Sequence, residues 1–342
     1  MTLVILKNRQ NASYEVKQMA KMLNCQETGS VTNIRVPGPY IDAHMATVGS
    51  LLNSGKENIQ GYAEKFKPID LSSNEHRAII ALCSLYHEAG YNAEVFKKGV
   101  IFTPYDLCKR MGYQKDKKGR FGGKARRSAL DALLSLSRRS FDIYLRRWTR
   151  KERGKNIFDV VVLPNKSLID IQYSASNVTE EDLENGGIKG KVVKINIQIK
   201  PFFYKEGYYL LFEKNFYLRL KEILEKENRR VSKYHWNLAL WLLKQKKHKK
   251  TAEINIDKLT VMLKIPDGAG HKTRARNIVR AIYMDFKTAG YIEEYKTDIP
   301  ARNGKTKDIL IIGTSPEKEL LPGDVGFGTR GVMGEEPGDN GE

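Results

Sequence analysis

Cysteine is scarce in this chain. Its three copies, Cys25, Cys83 and Cys108, are scattered and odd in number. No CxxC pair exists, so neither a disulfide framework nor a zinc site is predicted, and a reducing cytosol is the expected compartment. Long apolar runs are missing too. No stretch approaches the ~18 uncharged apolar residues of a membrane-crossing helix. The opening Met1-Thr2-Leu3-Val4-Ile5-Leu6-Lys7 is too brief for the core of a secretory signal. A cytoplasmic chain with no membrane partner is the expectation.

Catalytic spacings are lacking as well. The histidines are His44, His76, His87, His235, His248 and His271, and none forms the His-x-His pair that strand-transferring initiators and relaxases combine with a nucleophilic tyrosine. The stretch Gly119-Arg120-Phe121-Gly122-Gly123-Lys124-Ala125 departs from a phosphate loop, because Lys124 stands where the second glycine belongs and the context is helix-to-helix. Acidic clusters such as Glu180-Glu181-Asp182 and Glu293-Glu294 have no companion carboxylates or histidine at metal-holding spacing. No catalytic residue, metal ligand or cofactor is predicted. The chain reads as a non-enzyme.

What is present is positive charge, with enough apolar material for real cores. The 342 residues carry 59 Lys+Arg against 40 Asp+Glu, a formal charge of +19, and 41% are hydrophobic. The length predicts two folded units, and the charge favours polyanionic partners. Residues 1–67 read as an N-terminal extension with candidate helices at 14–23 and 43–52. From Ser72 the pattern sharpens into a capped helix ended by Gly90, a short strand at 99–102, and a helix over 105–111 opened by Thr103-Pro104. A longer helix over 124–137 and a hairpin of strands at 141–149 and 157–163 follow. This is the order of a winged helix, a helix-turn-helix with a β-hairpin appended, over 68–175. Residues 176–229 read as a loop, strands and a connecting helix. The same order then returns over 230–315: helices at 233–246 and 257–263, a long helix at 271–288, and strands at 291–297 and 308–312. An acidic, Gly-rich tail at 316–342 is expected to be disordered. The predicted fold is therefore α+β, two winged-helix domains in tandem.

The charge is concentrated. Between Lys109 and Lys155 lie 17 Lys/Arg and four Asp/Glu. Lys124, Arg126, Arg127 and Ser128 open the longer helix, a cationic first turn that the helix dipole disfavours and an external anion would offset. Arg147, Arg150, Lys151, Arg153 and Lys155 lie on the hairpin. In the second unit, Lys272, Thr273, Arg274, Arg276, Asn277 and Arg280 form the polar side of the long helix, opposite Ala275, Val279, Ile282 and Phe286. Arg and Asn match guanine and adenine edges, which casts Arg276 and Asn277 as base readers. Lys272 and the hairpin residues Arg302, Lys305 and Lys307 suit phosphates. The tyrosines Tyr204, Tyr208, Tyr209 and Tyr217 read as core more than as stacking platforms for single strands. Double-stranded DNA is the expected partner.

Phe121-Gly122-Gly123-Lys124-Ala125 with Ala129-Leu130-Asp131-Ala132-Leu133, Ser140-Phe141-Asp142-Ile143, Arg147-Trp148-Thr149, and Ser232-Lys233-Tyr234 with Trp241 resemble a replication-associated protein family of chlamydial virulence plasmids. The likeness covers roughly residues 100–175 and 230–295, in non-catalytic motifs. More loosely, the doubled order looks like that of two-winged-helix plasmid replication initiators. The resemblance implies a replication initiator or replication-control protein that binds origin repeats and recruits the host replicative helicase or its loader, on the nucleoid or the plasmid. It leaves open a homodimer. A winged-helix transcriptional regulator, a nicking or recombination enzyme and an RNA-binding protein are the rivals. Nicking of supercoiled plasmid with Mg²⁺ would mark the enzyme.

Overall fold

The computed structural model describes residues 33–46, 66–152, 155–184, 191–204, 209–246, 250–266, 272–301 and 306–313. The expected helix at 14–23, most of that at 43–52, the tail at 316–342 and the candidate residues Arg153, Arg302 and Lys305 lie outside them. The architecture is mixed α and β, with several small antiparallel sheets. Among the described residues no helix is long and apolar enough to cross a membrane.

Part of the N-terminal extension belongs to the core. Strand β1 (Asn33–Pro37) turns Ile34 and Val36 inward and leads through Pro37 into helix α1 (Gly38–His44), which buries Tyr40, Ile41 and Ala43. Helix α2 (Ser73–Glu88) starts at a capping box. Glu75 N–H donates to Ser72 Oγ at 3.3 Å, and Ser72 N–H donates to the Glu75 carboxylate at 2.7 Å, so two otherwise orphan donors are satisfied. A short helix absent from the sequence reading, α3 (Ala93–Lys98), is capped by Asn92, whose side chain accepts from Val95 N–H at 2.9 Å. Strand β2 (Val100–Phe102) and helix α4 (Pro104–Arg110), with its Thr103 and Asp106 capping box, precede the long helix α5 (Gly123–Arg138).

The hairpin after α5 is where expectation and structure part. Strands β3 (Phe141–Glu152) and β4 (Lys155–Lys166) pair as foreseen, each longer than read, but β2 does not join them. Its partner is β6 (Val192–Ile199), which pairs on its other side with β5 (Ile169–Ala175). Ile169 on β5 and Val192, Ile195, Ile197 and Ile199 on β6 supply an apolar face, and the hairpin contributes Phe141, Ile143 and Leu145 at the start of β3. The division at 175 thus cuts through a sheet, and 176–229 is more than a connector: it supplies the central strand β6 and also β7 (Tyr209–Glu213), which pairs with β1 from Asn33↔Glu213 to Pro37↔Tyr209. Between β5 and β6 lies helix α6 (Glu180–Glu184).

Helix α7 (Phe216–Glu225) leads to the second half. There α8 (Lys233–Lys246), β8 (Thr251–Ile254), α9 (Ile256–Met262), α10 (Lys272–Thr288), β9 (Ile292–Pro300) and β10 (Thr306–Ile312) follow the predicted order. The sheet runs β8-β10-β9, the same arrangement of first, last and middle strand as β2-β6-β5.

A single apolar cluster runs through both halves. At its centre Trp236 of α8 stacks on His76 of α2 (5.7 Å between ring centroids), meets Phe216 of α7 (4.9 Å), and donates its indole N–H to Ser73 Oγ at 3.0 Å. A polar seam lies beside it. His44 Nε2 and Asn237 Oδ1 are 2.8 Å apart, Asn237 donates to Leu263 O at 2.8 Å, and Lys264 Nζ donates to His44 O at 3.1 Å. Lys233 pairs with Asp70 at 2.9 Å at the rim. Burial and the nearby Lys264 charge lower the His76 pKa to about 3, and burial with Lys264 and His76 holds His44 well below the usual imidazole range.

Both histidines are therefore neutral in the fold and protonate in the unfolded chain from about pH 6.5 downward. The unfolded state then binds more protons, so stability is lost as pH falls through that window. Glu75 adds to the loss further down. Burial alone would raise its pKa, but bonds from Ser135, Ser72 and Arg139 outweigh this and lower it. The unfolding free energy is expected to fall steadily from pH 6.5 to pH 4, approaching about 1.4 kcal/mol per pH unit for each group that titrates only in the unfolded chain. Urea titrations at stepped pH check it, and a flat profile would contradict the neutral seam.

Candidate nucleic-acid interface

Helix α5 separates its faces cleanly. Ala129, Leu130, Ala132, Leu133, Leu134 and Leu136 are buried. At roughly 100° per residue, Lys124, Arg127, Asp131 and Arg138 share the opposite side. The N-terminus has Gly122 at the cap position with no side-chain bond, and no acidic residue in the first turn. Lys124, Arg126 and Arg127 are exposed there and make no ion pair among the described residues. The preceding loop is built rather than loose. Asp116 accepts from Lys118 N–H at 2.9 Å and Arg120 N–H at 2.8 Å, and Gly119, at φ +73°, closes the turn onto Asp116 O at 2.9 Å. One carboxylate thereby holds Lys117, Lys118 and Arg120 outward.

Ser128 is different. It is half-buried, and its hydroxyl accepts from Tyr113 Oη at 2.9 Å and Asn74 Nδ2 at 3.2 Å. The sequence placed it with the outward cations; in the structure it joins α5 to α2.

Hairpin β3–β4 sets Arg146 opposite Val160, Arg147 opposite Asp159, Arg150 opposite Ile157, Lys151 opposite Asn156 and Glu152 opposite Lys155. Its basic residues thus lie on a two-stranded arm apart from the β2-β6-β5 sheet.

On α10 the polar residues divide into two groups. Lys272, Thr273, Arg274 and Asn277 are exposed, with no internal ion pair or side-chain hydrogen bond among the described residues. Arg276, by contrast, grips Asp257 of α9 through Nε at 3.1 Å and Nη2 at 2.9 Å. Arg280 pairs with Asp298 of β9 at 2.5 Å, and Lys307 with Glu253 of β8 at 2.6 Å. Asp298 has φ +57° and donates its N–H to Asp308 at 3.1 Å, while Tyr283 of α10 donates to the other Asp308 oxygen at 3.2 Å. Arg280 and Tyr283 thus fasten the β9–β10 hairpin to the helix.

Two supporting residues escaped the sequence reading. Arg77 lies between the rings of Tyr113 (4.2 Å) and Tyr217 (4.1 Å) and donates through Nε to Met111 O at 2.7 Å, linking the end of α4 to α7. Asp285, buried on α10, accepts from Arg229 at 2.5 Å and from His235 Nε2 at 3.1 Å, while His235 Nδ1 accepts from Ser232 N–H at 3.0 Å. Their partners are 34 to 140 residues away, and no local pattern announces such contacts. Of the tyrosine cluster, Tyr204 stacks on Phe96 at 4.3 Å between centroids and Tyr217 is half-buried against Arg77; Tyr208 lies outside the described residues. No protein-family model, curated protein or solved structure matches the chain.

Proposed function

We propose that this chain is a sequence-specific, double-stranded DNA-binding protein, built from two winged-helix units, that acts in the replication control of a plasmid or related mobile element. The observation that carries the reading is the cationic first turn of α5, where Lys124, Arg126 and Arg127 are exposed beside the Asp116-organised turn and make no ion pair among the described residues. Natural helices favour acidic residues in that place. An external polyanion would offset the cost of three cations there, and a helix that buries its leucines and presents its cations suits a duplex groove. Helix α10 with its attached β9–β10 hairpin supplies the second contact.

The shared strand arrangement supports the doubled unit but moves the first wing. Its counterpart by topology is the connection between β5 and β6, which carries Glu180, Glu181 and Glu184 and repels phosphate. The basic hairpin β3–β4 is an addition to the unit, and it takes the phosphate-gripping part with Arg147, Arg150, Lys151, Arg153 and Lys155. Replication control, origin repeats and recruitment of a host helicase or its loader rest on the family resemblance. A transcriptional regulator would use the same surfaces; footprints over direct repeats favour the initiator, and a single palindrome favours the regulator.

Titrating a labelled duplex of about 30 bp with the full chain from 50 to 300 mM salt tests DNA binding. With five or more phosphates engaged, log affinity should fall against log salt with a slope steeper than about −4. A slope near zero, or tighter binding to duplex RNA, would remove the reading.

A further inference from the structure

The two cationic helices present different chemistry outward. On α5 the outward side is Lys124, Arg127, Asp131 and Arg138, all ionic. On α10, at roughly 100° per residue, the centre of the outward arc is Asn277, flanked by Thr273, Ala281, Arg274 and Met284. All five are exposed, and Met284 is 61% accessible. Arg276 and Arg280 lie together on one flank of that arc and are tied back to Asp257 and Asp298. A helix whose purpose is only to hold phosphates has no use for an uncharged row of a threonine methyl, an amide and an alanine methyl, nor for pairing its central arginines internally.

We infer that α10 reads A·T base pairs in the major groove, with Asn277 paired to an adenine and the methyl groups of Thr273 and Ala281 against neighbouring thymines, while α5 grips backbone without choosing sequence. The inference rests on the duplex-binding reading above and deepens it. Asparagine matches the acceptor–donor pair N7 and N6 of adenine through its own amide, and the thymine 5-methyl is the one apolar group on a major-groove edge. Residues 273, 277 and 281 follow at intervals of four, so they stay in register along one groove as the helix advances. The inward pairs of Arg276 and Arg280 fit this division. The guanidinium engaged by Asp257 lies on the flank of the arc instead of at its centre, and the pair ties α10 to α9. Arg276 is a positioning residue here, where sequence alone casts it as a reader.

The test is selection of binding sites from a random duplex pool by the full chain and by Asn277→Ala, followed by titration of the enriched site. The wild-type chain should enrich sites with a fixed adenine, preferred by about 5- to 150-fold over other bases. In Asn277→Ala that preference should fall to near parity. Replacing the adjacent thymines with uracil removes only the methyl and should weaken wild-type binding about fourfold per contacted base. In Ala281→Ser the penalty at one of those positions should disappear. A selected guanine lost with Arg274→Ala and kept in Asn277→Ala would overturn the inference, and so would an adenine preference indifferent to Asn277→Ala. Tight, salt-sensitive binding with no enriched motif would overturn it together with the sequence specificity of the reading above, and leave only duplex binding standing. Failure to bind any duplex would remove both.

Discussion

Trp236→Ala is expected to destabilise the protein by about 3–5 kcal/mol, the range for emptying a large buried aromatic site. The indole, on α8 of the second half, is 1% exposed and touches elements that precede that half: His76 on α2, Phe212 on β7 and Phe216 and Tyr217 on α7. Its N–H bond to Ser73 lies next to the start of α2. The variant therefore leaves a cavity where the halves are joined, ringed by side chains that cannot collapse without moving several elements at once. Urea denaturation monitored by far-UV circular dichroism measures the loss. A cost under about 1 kcal/mol, typical of surface substitutions, would show that the ring is not central to the packing.

The second large effect separates binding from stability. Replacing Lys124, Arg126 and Arg127 together with alanine removes three cations from the first turn of α5. Each phosphate contact contributes about 0.9 to the slope of log affinity against log salt, so the slope should become shallower by about 2.7 and affinity near 0.15 M salt should fall on the order of 100-fold. Folding should not suffer. The three side chains are exposed, alanine is the best helix former, and cations at a helix N-terminus are unfavourable. The variant is expected to melt at the wild-type temperature or slightly above it. An unchanged salt slope would mean that these cations touch no phosphate. A lowered melting temperature would mean that they serve the fold.

Most helices were legible because their information is local. Ser72 with Glu75, and Thr103-Pro104, announce helix starts within four residues, and the buried faces of α5 and α10 repeat at helical spacing. Strand partners are not local. The β1–β7 pairing joins residues 33–37 to 209–213, and nothing near Ile34 tells which distant strand it will meet. The basic hairpin invited assignment as the wing because it follows α5 directly and carries the charge, whereas the strand that pairs with β2 comes some fifty residues later behind an acidic loop. The candidate interface was legible as a composition and less so as a geometry. The cationic turn of α5 lies outward as read. The bond network of Ser128 and the ion pairs of Arg276, Arg280 and Lys307 depend on partners that only the tertiary fold brings near.

Hairpin β3–β4 has one more implication. Among the described residues its two strands pair only with each other, and no further described strand lies along either outer edge, where Asp142 N–H donates to Lys67 O at 2.7 Å. Such edges template side-by-side association of identical chains. Between residues 146 and 155 this arm holds six Lys/Arg and one Glu, and its ladder is interrupted by register shifts at Phe141/Ile143 and Trp148/Arg150. Like charge and irregular register disfavour arm-to-arm stacking of free molecules. The guard is conditional, because it weakens wherever a polyanion neutralises that charge, and crowding on such a surface is where self-association would begin.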